Sequence, residues 1–150
     1  MSEERVMETV RANSAAMNSR VMAQYADTFA EDAVTEGDMF PAPLVGPEAN
    51  AQSMAGFFTA FPDMHFEVER EFASGDQAAV CWRVTGTHRG DFQGIPPTGR
   101  RVDYHGCGIM QMRDGKIARA WVYFDTGTLL RQLGVLPGDD QAQDAGSATA

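Results

Sequence analysis

Apolar residues recur at helical spacing through Val6, Val10, Met17, Val21, Tyr25 and Phe29, which predicts a helical arm over residues 3 to 31, broken near Asn18. Between Asp32 and Gly46 a short strand-like run gives way to Pro and Gly, the composition of a loop crossing the rim of a pocket. Helical spacing resumes after Gly46 and Pro47, with Pro at the first helical position, where its missing N–H costs nothing. Ala51, Met54, Ala55, Phe58 and Phe61 form one face of this second helix, and Pro62 ends it. From Met64 the period falls to two, so His65-Phe66-Glu67-Val68-Glu69 reads as a strand running to a turn at Ser74-Gly75-Asp76. AAVCWRVTGTHRG follows as a second strand, and the Gly- and Pro-rich GDFQGIPPTG can only be a connection. A third strand spans Arg101 to Arg113, Asp114-Gly115 signals a hairpin, KIARAWVYFD returns from it, and TGTLLRQLG supplies a closing helix.

Helices first and then a long antiparallel meander predict an α+β fold, a curved and mostly antiparallel sheet forming a half-open cone around the N-terminal helices. Where helices leave the cone unfilled, a pocket remains. The 150 residues, 43% of them hydrophobic, suit a single domain over residues 1–136; residues 137–150 have almost nothing to bury and are expected to be a disordered tail. The apolar runs are far shorter than the roughly 20 residues that cross a bilayer, and the charged start MSEERVMETVR has no secretory apolar stretch, so a cytoplasmic location is expected. A formal charge of −9 without a basic cluster argues against nucleic acid and membrane surfaces as partners. Cys81 and Cys107 fall in strand-like segments without metal-ligand spacing and are expected to be packed free thiols. The nine Met and nine Phe suit the lining of an irregular apolar pocket and equally an ordinary core.

Alternation along the last strand puts Trp121, Tyr123 and Asp125 on one face and Val122 and Phe124 on the other. An inward Asp125 would have its pKa raised by burial and become a usable general base; an outward one would cap the helix that follows. Both readings are open on the residues alone. His105, Cys107 and Gln111 share a parity on the preceding strand. A two-residue turn at Asp114-Gly115 opposes them to the even positions, whereas a three-residue loop with a Gly bulge puts His105 and Gln111 on the Asp125 face. We expect the three-residue form, because the other leaves Asp125 mainly Gly106, Gly108 and methionines. Glu36 and Asp38 on the rim are either alternative bases or solvated loop carboxylates. Arg83 reads as a strand-pair charge, and His88 as structural or functional.

The stretch from FPDMHFEVER through GTHRGDFQGIPPTGR, followed by MRDGKIARAWVYFDTGTLLRQLGV, resembles the SnoaL-like polyketide cyclases, or ester cyclases, of the superfamily with the nuclear-transport-factor-two fold. The resemblance implies a cone-shaped α+β barrel, usually dimeric, that takes a small apolar carbonyl compound and needs neither organic cofactor nor metal. It implies that Asp125 removes a proton between carbonyls so that the enolate closes a ring by intramolecular aldol attack, with Gln111 helping to hold the substrate carbonyl; His105, where the hairpin puts it on the same face, is the second candidate for that hydrogen bond. A His is more familiar where this chain has Gln111. Tyr123, Trp121, Trp82, Tyr25 and Asp38 are the candidate substrate contacts. The alternatives are a non-catalytic binding or dimerisation module, and another enzyme on the same cone: an epoxide hydrolase, a hydroxylase-like relative, or an isomerase using Asp38 or Glu36.

Overall fold

Ser2 opens the first helix by accepting a hydrogen bond from Arg5 N–H at 3.1 Å, with Glu3 and Glu4 at the positive end of the helix dipole. This is α1 (Glu3–Ser19), in a computed structural model that describes residues 2–137; the expected tail beyond Pro137 lies outside the described residues. Arg20 stops the helix with a left-handed φ of 63°, and only one short turn, α2 (Met22–Ala26), follows before β1 (Phe29–Gly37). The helical arm therefore ends earlier than the spacing predicts. Tyr25 and Phe29 keep helical spacing because both rings reach one core, 5.1 Å apart, and the buried Thr28 hydroxyl between them is held by Asn13 and by the Tyr25 carbonyl.

After β1 come β2 (Leu44–Val45), α3 (Gly46–Ala60) with Pro47 in its first turn, β3 (His65–Ser74), β4 (Gln77–Thr87), β5 (Arg101–Arg113), β6 (Lys116–Phe124) and α4 (Thr126–Leu133). The six strands form one mixed sheet in the order β2-β1-β6-β5-β4-β3. β3 to β6 make the expected antiparallel meander, but β1 is a full strand and pairs parallel with β6, from Phe29↔Ile117 to Gly37↔Val122. The sheet is curved and does not close, so the barrel implied by resemblance is an open one. Even-numbered residues of β4 and β5 point inward: Val80, Trp82, Val84, Val102, Tyr104, Met110 and Met112 are all buried. Val6, Val10, Met17, Phe57 and Phe61 of the helical layer and the turn after α3 meet them there, each contributing roughly 1.5–3 kcal/mol by burial.

Asp114 and Gly115 have φ of 52° and 78°, and Arg113 pairs directly with Lys116, so the hairpin has a two-residue loop. The extra residue expected in the turn lies in the strand instead. Met112 pairs with Ile117 and Gln111 with Arg119, leaving Ala118 as a bulge that restores odd-to-odd pairing. The long connection from β4 to β5 is pinned by His88, which is fully buried: its backbone pairs with Arg100 and Gly99, its Nδ1 accepts from Thr98 N–H at 3.2 Å, and its ring lies 5.3 Å from that of Phe61.

Candidate functional site

The inner face of β1, β6, β5 and β4, roofed by α1, α2 and α3, encloses a narrow apolar cavity of about 40 Å³. Met17, Phe29, Met54, Phe57, Met64, Phe66, Met110, Val122 and Phe124 supply most of its wall. Two glycines of β5 shape it. A methyl group on Gly108 would sit 2.8 Å from Trp82 Cη2, and one on Gly106 would overlap the Phe124 ring. Their bare backbones let Trp82 and Phe124 lie stacked against each other across the sheet, with ring centroids 6.2 Å apart.

The polar groups in this wall are neutral hydrogen-bonding side chains: Asn13, Tyr25, Thr35, Asn50, Ser53, Trp82 and Tyr104. Burial pushes the phenols of Tyr25 and Tyr104 well above their ordinary range, so both stay protonated throughout neutral pH. Trp82 is 3% exposed and Thr35 5%, and neither the indole Nε1–H nor the Thr35 hydroxyl has a hydrogen-bond partner among the described residues. An unpaired buried donor costs about 1–3 kcal/mol, so both groups are poised to gain from an acceptor placed in the cavity.

Phe40, Leu44, Ser53 and Phe57 line this cavity and also a wider surface cleft of about 220 Å³ that includes Met39, Phe92 and Gln93. They are the partition between the two spaces. Small-molecule sites usually offer roughly 300–1,000 Å³, more than the inner slot alone encloses.

Of the residues singled out in the sequence, Trp82 and Tyr25 lie in the cavity wall. The Asp125 face does carry His105 and Gln111 by parity, but it is the outer face of the sheet. Odd positions of β5 alternate with the buried even ones, and Tyr123 is 54% exposed. His105 is exposed and meets Glu69 at 3.2 Å; Gln111 stands opposite Arg119 and Gln77; Trp121 lies under the Arg119 guanidinium, 5.2 Å from the ring centre. Asp125 is the N-cap of α4, accepting from Thr128 N–H at 3.0 Å and from the Thr128 hydroxyl at 2.7 Å. These two bonds, with Arg131 and His105 nearby, hold its carboxyl below the usual carboxylate range, opposite to the rise expected of an inward base. On the rim, Asp38 accepts from Phe124 N–H at 3.1 Å and from the Thr126 hydroxyl at 2.6 Å, tying the end of β1 to the start of α4. Glu36 pairs with Arg119 at 2.9 Å. Both acids border an outer cleft with Pro41, Pro43 and Tyr123, not the inner cavity.

Capping sets an expectation for stability. Asp125→Ala should cost about 1 kcal/mol. Because the folded-state pKa is lowered, the ionised cap stabilises above the unfolded carboxylate pKa, and its contribution fades as pH falls through the folded value. Urea titrations of wild type and Asp125→Ala at neutral and acid pH should therefore converge on the acid side; parallel curves would remove the ionised-cap account.

Sequence reasoning did not find Thr35, Tyr104 or Asn50. Tyr104 shares the parity of Trp82's partner Gly106 and was detectable once the inner face was known, whereas Thr35 needed β1 to be recognised as a strand.

Residues 7–133 match the family model described as SnoaL-like polyketide cyclase. Among solved structures, AclR of Streptomyces galilaeus, a candidate hydroxylase, is 29% identical with a TM-score of 0.81, covering 99% of this chain and 92% of its own. Wild-type IdmH of Streptomyces antibioticus, a candidate polyketide cyclase, is 30% identical with a TM-score of 0.75, covering 87% of this chain and 99% of its own. A candidate SnoaL-like cyclase from Jannaschia sp. CCS1 shares the fold at 22% identity, with a TM-score of 0.81 over 90% of this chain and 95% of its own.

Proposed function

Because the chain belongs to the SnoaL-like polyketide cyclase family, we propose that it is an enzyme acting on a polyketide-like, carbonyl-bearing small molecule seated in the inner cavity, and that neutral donors there activate a substrate carbonyl. The observation that supports this reading is the pair of buried donors without a partner among the described residues, Trp82 Nε1–H and the Thr35 hydroxyl, in a wall that is mostly apolar and carries no charged side chain among those residues. A carbonyl oxygen that accepts from such a donor gains more as it becomes an enolate oxygen, because the surrounding medium screens little. The flat aromatic walls of Trp82 and Phe124 suit a fused or conjugated ring system and would hold a flexible chain folded so that its ends meet. Intramolecular aldol closure is an isomerisation: the proton lost from carbon is regained at the new alkoxide. Water or a second substrate oxygen can carry it, so the step does not depend on a carboxylate inside the cavity.

In this reading Asp125 starts α4 and takes no part in proton abstraction. Asp125→Asn tests that directly, since Asn is an equally good cap. The measurement is deuterium exchange at the central carbon of aromatic 1,3-diketones, followed by NMR together with binding affinity. Exchange and affinity should both stay close to wild type. Lost exchange with intact binding would restore Asp125 as the base and defeat the donor-driven mechanism.

One observation favours a second reading, a binding module without turnover: the cavity wall contains no Asp, Glu, His, Lys or Arg among the described residues. Tight binding of the same diketones with no enhancement of exchange in the wild type would select it. The epoxide hydrolase alternative calls for paired carboxylates in the pocket, and this wall has none among the described residues.

A further inference from the structure

The sequence has two cysteines, and the fold brings them together on the outer face of the sheet, away from the cavity. Cys81 of β4 and Cys107 of β5 are direct partners in the antiparallel register, and their Sγ atoms lie 2.9 Å apart. Cys107 is exposed and Cys81 partly so, and both are free thiols. Residues directly opposite in an antiparallel pair have Cα atoms roughly 4.5–5.5 Å apart, inside the roughly 4.4–6.8 Å that a disulfide spans, so a bond calls for only a small local approach of the two side chains.

We propose that Cys81 and Cys107 are a reversible dithiol–disulfide site whose oxidant is a low-molecular-weight disulfide. One thiolate attacks a sulfur of the oxidant R–S–S–R, the S–S bond breaks, and RS⁻ leaves and takes up a proton. The second cysteine, as thiolate, then attacks the mixed disulfide at the protein sulfur and releases the other RS⁻, which is protonated in turn. The cysteines lose two electrons and two protons, and the oxidant becomes two RSH. Cys107 shares its contact with Cys81, and the hydrogen bond between them pushes the Cys107 thiol up to about 11. Cys107 is therefore a protonated thiol in neutral solution, so its exchange with the oxidant is slow and speeds up as pH rises.

The position gives the bond a mechanical reach. Cys81 precedes Trp82 and Cys107 precedes Gly108, and Trp82 packs against Gly108 on the other side of the sheet. The bond would fix the spacing of β4 and β5 directly behind the cavity wall.

The native full chain, equilibrated with oxidised glutathione, should lose two hydrogens by intact mass, resist alkylation at both cysteines, and regain both thiols on reduction. Thermal unfolding should shift upward by roughly 5–10 °C in the oxidised form. The Cys81→Ser and Cys107→Ser variants should each stop at a single stable glutathione adduct, because the resolving thiol is gone. Two alkylatable thiols in the native chain, while the urea-unfolded chain oxidises under the same conditions, would overturn the proposal. So would a stable glutathione adduct on wild type, or a disulfide between two chains on a non-reducing gel.

Discussion

Trp82→Phe should lower turnover by roughly 10²-fold, the usual loss when a donor to a developing oxyanion is removed, while leaving stability within about 1 kcal/mol of wild type. The substitution retains an aromatic ring between Phe66 and Phe124, with which Trp82 makes an edge contact at 6.3 Å and a stack at 6.2 Å. What it deletes is the indole N–H, which has no partner among the described residues. Removing an unsatisfied donor takes away a desolvation penalty, which offsets much of the small volume lost. Deuterium exchange of the diketone probes, read beside urea unfolding, separates the two effects. Unchanged exchange in a folded variant would show that the indole does not serve the reaction, and Thr35→Val provides the matching test of the second donor.

Gly37→Ala should destabilise the fold by about 3 kcal/mol, at the upper end of overpacking effects. Gly37 ends β1 opposite Val122, and a Cβ there would overlap the Val122 carbonyl oxygen. That neighbour is backbone, so relief requires β1 and β6 to separate, and their pairing alone joins β1 and β2 to the rest of the sheet. Gly56→Ala is the control. It lies inside α3 with nothing within 4 Å of an added Cβ, and the substitution should stabilise by up to about 1 kcal/mol because Ala is the better helix former. Denaturant midpoints of the two variants should move in opposite directions. A Gly37→Ala midpoint equal to wild type would show that the seam yields more easily than its geometry implies.

The elements were legible in the sequence where one rule dominated. Pro47 in the first turn of α3, the period-two runs of β3 to β6, and Asp114-Gly115 each act within a few residues, and the structure forms them there. β1 was harder to read because Phe29 continues the helical spacing of Tyr25 while already lying in a strand. Its strand partner is β6, far away in the chain, and parallel pairing leaves no local turn signal. The site was less legible still. Alternation correctly separated Trp121, Tyr123 and Asp125 from Val122 and Phe124, yet period two alone does not say which set faces in. The helices decide that, because α1 and α3 cover the even face, so an acid flanked by two aromatics ends on the solvent side as a cap. Gly106 and Gly108, passed over as uninformative, mark the inner face: glycines in a central strand signal close approach by large rings.

The parallel pairing of β1 with β6 also bears on how the chain is made. Val34 waits for Arg119, and Gly37 for Val122. During synthesis the first strand and the helix after it emerge long before the strand that completes them, while β3, β4 and β5 can pair as they appear. The late arrival of β6 closes the sheet seam and completes the cavity wall with Ala120, Val122 and Phe124. A chain ending before Lys116 would therefore carry most of the strands and helices but an unfinished cavity wall.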